Sequence, residues 1–152
     1  MNDITAKIVV SVVMLKEDGS FILVKEKSGD DFVYDQPSDF LKTGESLETA
    51  VIRVSRELTG YDVIISNFIE SYIVHFNEGK SVYVKFCYLC RMLSDEPIKK
   101  IKLENAELIW IHPDEMYELI TNNKFKNPTV PYFLINQYNL TQSPDAVKSF
   151  FI

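Results

Sequence analysis

This chain is poor in cysteine, in histidine and in positive charge, and each shortage narrows what it does. Its 152 residues include two cysteines and two histidines. Cys87 and Cys90 stand three apart in an apolar run, without the further ligands that a zinc site needs. They read as reduced thiols in or near the core, as in a cytoplasmic protein. Sixteen Lys and Arg face twenty-two Asp and Glu, a net charge of −6. The surface as a whole therefore repels nucleic-acid backbones and anionic membranes. A small ligand, or a metal ion brought in with one, suits it better. No basic stretch followed by a long apolar run opens the sequence, so neither export nor membrane insertion is signalled. There is no repeat and no low-complexity segment. What is present, 46% hydrophobic and 25% charged residues, is an ordinary globular composition, and the length suits one domain with a proper core.

Turn chemistry and hydrophobic period divide the chain into elements. Residues 7–15 form an apolar, β-branched strand, and Glu17-Asp18-Gly19-Ser20 turns it into a second strand over 21–25. A polar loop over 26–31 leads to a short extended segment, 32–36, and Pro37 favours an extended residue before it. A loop closed by Thr43-Gly44 follows. Ser46 is a natural helix cap and Glu48 lies in the first turn. Leu47, Ala50, Val51, Val54 and Leu58 then recur at helical spacing until Gly60. Residues 63–76 read as an irregular strand that turns at 77–80 into a second one over 81–92, a long hairpin. An acidic linker over 94–97 leads to a polar strand or edge segment over 99–103 and a firmer strand over 108–111. Pro113 starts a helix with Asp114 and Glu115 in its first turn. Asn127-Pro128 starts a last helix, to about Tyr138. The order indicates an α+β or mixed α/β/α sandwich.

The segment from Gln36 to Tyr61 resembles the box of the Nudix family, G-x5-E-x7-R-E-U-x-E-E-x-G-U with U apolar, which forms a loop-helix-loop. Aligned through Gly60 and Tyr61, the box begins at Asp39 and sets its first glutamate at Glu45 and its arginine at Arg53. Glu57 matches the first acid of the closing pair. Four positions depart from the pattern: Asp39 for glycine, Val54 for the acid after arginine, Ser55 for an apolar residue, and Leu58 for the second acid of the pair. The flanking strands, the hairpin and the step Trp110-Ile111-His112-Pro113-Asp114-Glu115-Met116 also recur in the family. Gln36-Pro37 and Asn127-Pro128-Thr129-Val130 resemble its NudJ-like branch of bacterial phosphatases, which hydrolyse thiamine-pathway pyrophosphates and nucleoside di- or triphosphates. The resemblance implies a Nudix-type α/β/α sandwich with a mixed β-sheet, in one domain over 1–140, and a C-terminal tail over 141–152.

Water attacking a diphosphate builds charge on phosphoryl oxygens, which Mg2+ or Mn2+ neutralises while orienting the water. Such hard cations take carboxylate and phosphate oxygens. Helix positions 54, 57 and 58 form one patch; the family carries glutamates there, and this chain offers valine, glutamate and leucine. The resemblance makes Arg53 the residue that ties Glu45 and Glu57 together, and Glu57 the first metal-ligand candidate. Asp39 and Glu104 are its candidate helpers, so any metal is expected to bind weakly. On residue chemistry alone Arg53 and Glu57 are an i,i+4 surface pair, and Asp39 is a turn residue in place of glycine. Val54 and Leu58 are either core or the apolar floor of a cleft. Glu104 is either ligand or base or a solvated acid, and Glu107 is the lesser candidate. Tyr34, at a strand end, is the choice among the aromatic residues for stacking a ring. Lys25 and Lys27 either meet a phosphate tail or are solvated strand-end lysines. His75 either touches a phosphate or lies on the surface, and His112 starts the helix after it.

The function expected first is a Nudix-type hydrolase cleaving a diphosphate linkage in a small nucleotide or thiamine-like pyrophosphate, with a weakened metal site. The alternative is a catalytically inactive Nudix-fold module that binds a nucleotide or a protein. Phe150-Phe151-Ile152, apolar after a polar spacer, marks an end that docks onto an intrachain cleft or onto the sister subunit of a homodimer.

Overall fold

The structure is a computed structural model and describes residues 3–76 and 78–126. Seven strands and two helices occur among them: β1 (Thr5–Met14), β2 (Phe21–Ser28), β3 (Asp31–Asp35), β4 (Ser38–Phe40), α1 (Leu47–Thr59), β5 (Val63–Phe76), β6 (Ser81–Met92), β7 (Ala106–Ile111) and α2 (Pro113–Thr121). The helix expected over 127–138 and the tail over 141–152 lie outside the described residues. No helix among the described residues is long and apolar enough to cross a membrane.

The strands form two sheets, a mixed one in the order β4-β1-β6-β5 and an antiparallel one in the order β3-β2-β7. β1 runs parallel to β6, with Val9 opposite Lys85, and the β5–β6 hairpin is antiparallel. Two register shifts, at Ile65/Asn67 and Phe68/Glu70, account for the irregular apolar pattern of β5. Side chains alternate across β1 and β6, so each strand feeds two cores. Val13, Leu15, Cys87 and Leu89 join Phe21, Leu23 and Met116 of α2 on one face. Val10, Val12, Met14, Tyr88 and Cys90 pack with Ala50, Val51 and Val54 of α1 on the other. That is the α+β layering expected, with α1 and α2 on opposite sides of the β-structure.

α1 begins and ends where its residues dictate. Ser46 caps it, its Oγ accepting from the Thr49 amide at 3.1 Å. Gly60 ends it in the left-handed region, φ 79°. No other residue fits there, because a Cβ on Gly60 would stand 1.9 Å from the Lys99 carbonyl oxygen. His112 caps α2, accepting from the Asp114 amide through Nδ1, and Glu115 completes a capping box.

Two expected elements differ. Residues 99–103 are not a strand; the segment instead crosses the end of α1, where the Ile98 amide donates to the Gly60 carbonyl at 2.8 Å. Bound to a helix end, it has no strand partner. The loop after Pro37 contains a strand, β4, which pairs Asp39 with Val10 of β1. Asp39 is therefore no left-handed turn residue standing in for glycine; its place is fixed by the sheet.

Candidate ligand cleft and the Arg53 clamp

Arg53 gathers the acids of the segment from 39 to 57. Nε donates to Glu45 Oε2 at 2.7 Å and Nη2 to Glu45 Oε1 at 3.0 Å, a bidentate pair. Nη2 also donates to the Phe40 carbonyl at 2.9 Å. Nη1 donates to Asp39 Oδ2 at 3.0 Å and to Glu57 Oε2 at 3.2 Å. A guanidinium has five N–H donors, and every one is used. The arrangement ties β4, the loop before α1 and the helix into one unit. Hydrogen bonds to the Glu45 carboxylate raise the Arg53 pKa further, and Arg53 in turn holds the Glu45 carboxyl below its usual range.

The clamp engages two of the three carboxylates named as metal candidates, Asp39 and Glu57, and leaves Glu104 outside it. Both Asp39 oxygens are engaged, Oδ1 by the Phe40 amide at 2.8 Å and Oδ2 by Arg53. Val54 has no solvent exposure and belongs to the core under α1. Leu58 is half-buried and faces a cleft. Among the described residues no group of three or more His, Cys, Asp or Glu side chains is arranged to hold a metal ion.

That cleft, about 700 Å3, opens where β4 and the end of α1 meet the two sheets. Asp39 and Glu104 both line it, and so does His75. Glu57, Tyr34, Lys25 and Lys27 are not among its lining residues. Tyr34 packs against the core, its ring 6.4 Å from that of Phe125. Lys25 lies over the Phe32 ring at 4.3 Å and pairs with Glu107 at 3.7 Å. Lys27 is exposed at the far end of β2.

Among the polar residues of the cleft that the sequence does not single out as site candidates are Lys85, Asp35 and Gln36. Lys85 is buried on β6 and its Nζ stands 4.0 Å from Asp35 Oδ1. Burial pushes the Asp35 carboxyl above its usual range, and the Lys85 charge opposes that shift. Gln36 is buried and donates from Nε2 to Cys87 Sγ at 3.4 Å. The signal for Lys85 was present: it is the one charge in the stretch from Ser81 to Cys90, a strand otherwise fit for a core.

The family profile of the NUDIX domain matches residues 5–133. The chain belongs to that family. Nudix members hydrolyse pyrophosphate linkages and generally use divalent cations. Solved structures of similar fold include a Nudix hydrolase from Nitrosomonas europaea, 23% identical with a TM-score of 0.73, covering 89% of each chain. The E. coli ORF135 protein is 13% identical with a TM-score of 0.65, over 94% of this chain and 95% of that one. An ADP compounds hydrolase is 16% identical with a TM-score of 0.68, over 91% and 75%. These identities bear on the fold. No curated protein matches the chain at significant similarity. At the helix positions that the family fills with acids this chain has a buried valine, Val54, and a leucine, Leu58, while Glu57 remains 52% exposed beside them.

Proposed function

We propose that this Nudix protein takes a small diphosphate compound, a nucleotide or a thiamine-like pyrophosphate, in the cleft, and that its anhydride hydrolysis is weakened so far that binding is its main activity. The observation that carries this reading is the contrast between a cleft and a helix face. The cleft is of a size that suits a small ligand, with Asp35, His75, Lys85 and Glu104 around it. The helix face beside it offers Val54, Glu57 and Leu58, and Glu57 is held by Arg53. A Mg2+ or Mn2+ ion would have to rely on the ligand's own phosphate oxygens, so no step is assigned to it.

Calorimetric titration with ADP, ATP, thiamine pyrophosphate and inorganic pyrophosphate, with and without Mg2+, tests the reading alongside a phosphate-release assay. Saturable binding of one of them in the presence of a chelator, with slow turnover that falls further in Glu57→Gln, is the expected result. Absence of binding to all four would overturn it. A second reading, a module with no turnover at all, is favoured by the complete burial of Val54, which leaves that helix position no room for a carboxylate. It predicts binding without phosphate release even at millimolar Mg2+ or Mn2+.

A further inference from the structure

The cleft holds a positive charge that the Arg53 clamp does not use. Lys85 lies in the middle of β6, between Val9 of β1 and Tyr72 of β5, on the strand face that carries Tyr83 and Cys87. Its side chain is 6% exposed, and it borders the cleft together with Val9 and Tyr83. A buried ammonium carries three N–H donors and is costly to keep without acceptors. The Asp35 carboxylate, at 4.0 Å, balances the charge but is beyond hydrogen-bond reach. Asp35 Oδ1 already accepts from the Gln36 amide at 2.8 Å. No hydrogen bond joins Lys85 Nζ to another described residue, whereas the clamp pair Arg53–Glu45 closes to 2.7 Å. A purely structural ion pair in so dry a place gains most by closing in the same way. Lys85 instead stands at the wall of the cleft with no hydrogen bond to its counter-ion.

We propose that Lys85 is the anion-binding residue of the cleft, its ammonium donating to a phosphoryl oxygen of the ligand, with Asp35, 4.0 Å away, as its counter-ion when no ligand is bound. This rests on the reading of the cleft as a diphosphate site. It moves the positive charge that meets the phosphate from the helix face to the sheet. His75 borders the same cleft and offers a second N–H donor to the ligand's oxygens. The acids around the cleft leave Lys85 the better placed of its cations: Lys126 is exposed and pairs with Glu26 at 3.4 Å.

The test uses the full chain and whichever of ADP, ATP, thiamine pyrophosphate or inorganic pyrophosphate binds it, set against the phosphate-free parent, adenosine or thiamine. Lys85→Met is expected to weaken the phosphate compound by roughly 10- to 100-fold, the loss of a charged hydrogen bond. It should leave affinity for the parent unchanged, and it should lower the melting temperature, because Asp35 is left without its counter-charge. Should Lys85→Met fail to fold because Asp35 is left unpaired, the double variant Asp35→Asn with Lys85→Met keeps the charge balance and carries the same expectation for affinity. Equal affinity for the phosphate compound in the folded variant overturns the assignment of Lys85 while the cleft remains a diphosphate site. An equal loss for the phosphate compound and its parent overturns it too, by making Lys85 a packing residue. If the unmodified chain binds none of the four, the diphosphate reading itself fails, and the assignment of Lys85 with it.

Discussion

At the scale of single residues, Arg53 is the position where charge chemistry and fold are hardest to separate. Its side chain is 14% exposed, as is that of Glu45, whereas Asp39 and Glu57 are 40% and 52% exposed. The Glu45 contact is thus the part shielded from water, and the Glu57 contact is a solvated i,i+4 pair. Arg53→Lys keeps the charge but loses the planar fork, and should lower stability in urea unfolding by roughly 2 kcal/mol. Glu57→Gln should cost less than about 0.5 kcal/mol. A larger loss from Glu57→Gln than from Arg53→Lys would contradict this ordering. The pH dependence has a definite sign. Because Arg53 lowers the folded pKa of Glu45, the native state binds fewer protons at Glu45 than the unfolded chain does. That contribution is present above the ordinary glutamate value of 4.5 and disappears as pH falls through the lowered one. Melting temperatures measured from neutral pH into that acid range should therefore fall less steeply for Glu45→Gln than for the unmodified chain.

At the scale of the element, α1 was legible because its signals are local: a Ser46 cap, an apolar stripe and a glycine stop. Which residues of that stripe are core was not, since Val54 and Leu58 look alike in sequence and differ only in what lies opposite. Val54 meets the sheet with no exposure, and Leu58 meets the cleft. Restoring acids at both positions is therefore not a symmetrical repair. Val54→Glu places a charge among Val10, Val12 and Tyr88 and should destabilise by about 3 kcal/mol or more. Leu58→Glu, at the cleft wall, should cost less than half as much. Chemical denaturation of the two single variants decides this, and equal losses would mean that Leu58 belongs to the core as fully as Val54 does. The strand misread over 99–103 has the same origin. Its alternation suits an edge, but the end of α1 takes its backbone, a contact between segments some forty positions apart that no local pattern encodes. The short pairing of β4 with β1 escaped notice likewise, and with it the reason that Asp39 reaches Arg53.

At the scale of the whole molecule, the fold was readable and the cleft only in part: Asp39, Leu58, His75 and Glu104 were candidates and line it, whereas Asp35 and Lys85 were not. Strand period, turns and the box resemblance each report on neighbours in sequence, whereas Asp35, His75, Lys85 and Glu104 meet only once both sheets are assembled. The two cysteines make that assembly measurable. Cys87 belongs to the core shared with α2, and Cys90 to the core under α1. They sit three residues apart on one strand and so sample both faces of the same sheet. Both are free and buried, and burial pushes each thiol up to about 12, so neither reacts as a thiolate in the native state. In the single-cysteine variants Cys87→Ala and Cys90→Ala, thiol labelling at rising urea should show one shared midpoint, coincident with the loss of circular dichroism. Two cores that share β1 and β6 are expected to open together. If Cys90 reacts at lower urea than Cys87, α1 detaches by itself. The clamp that joins β4, the loop before α1 and the helix would then be a local fastening and not part of the cooperative unit.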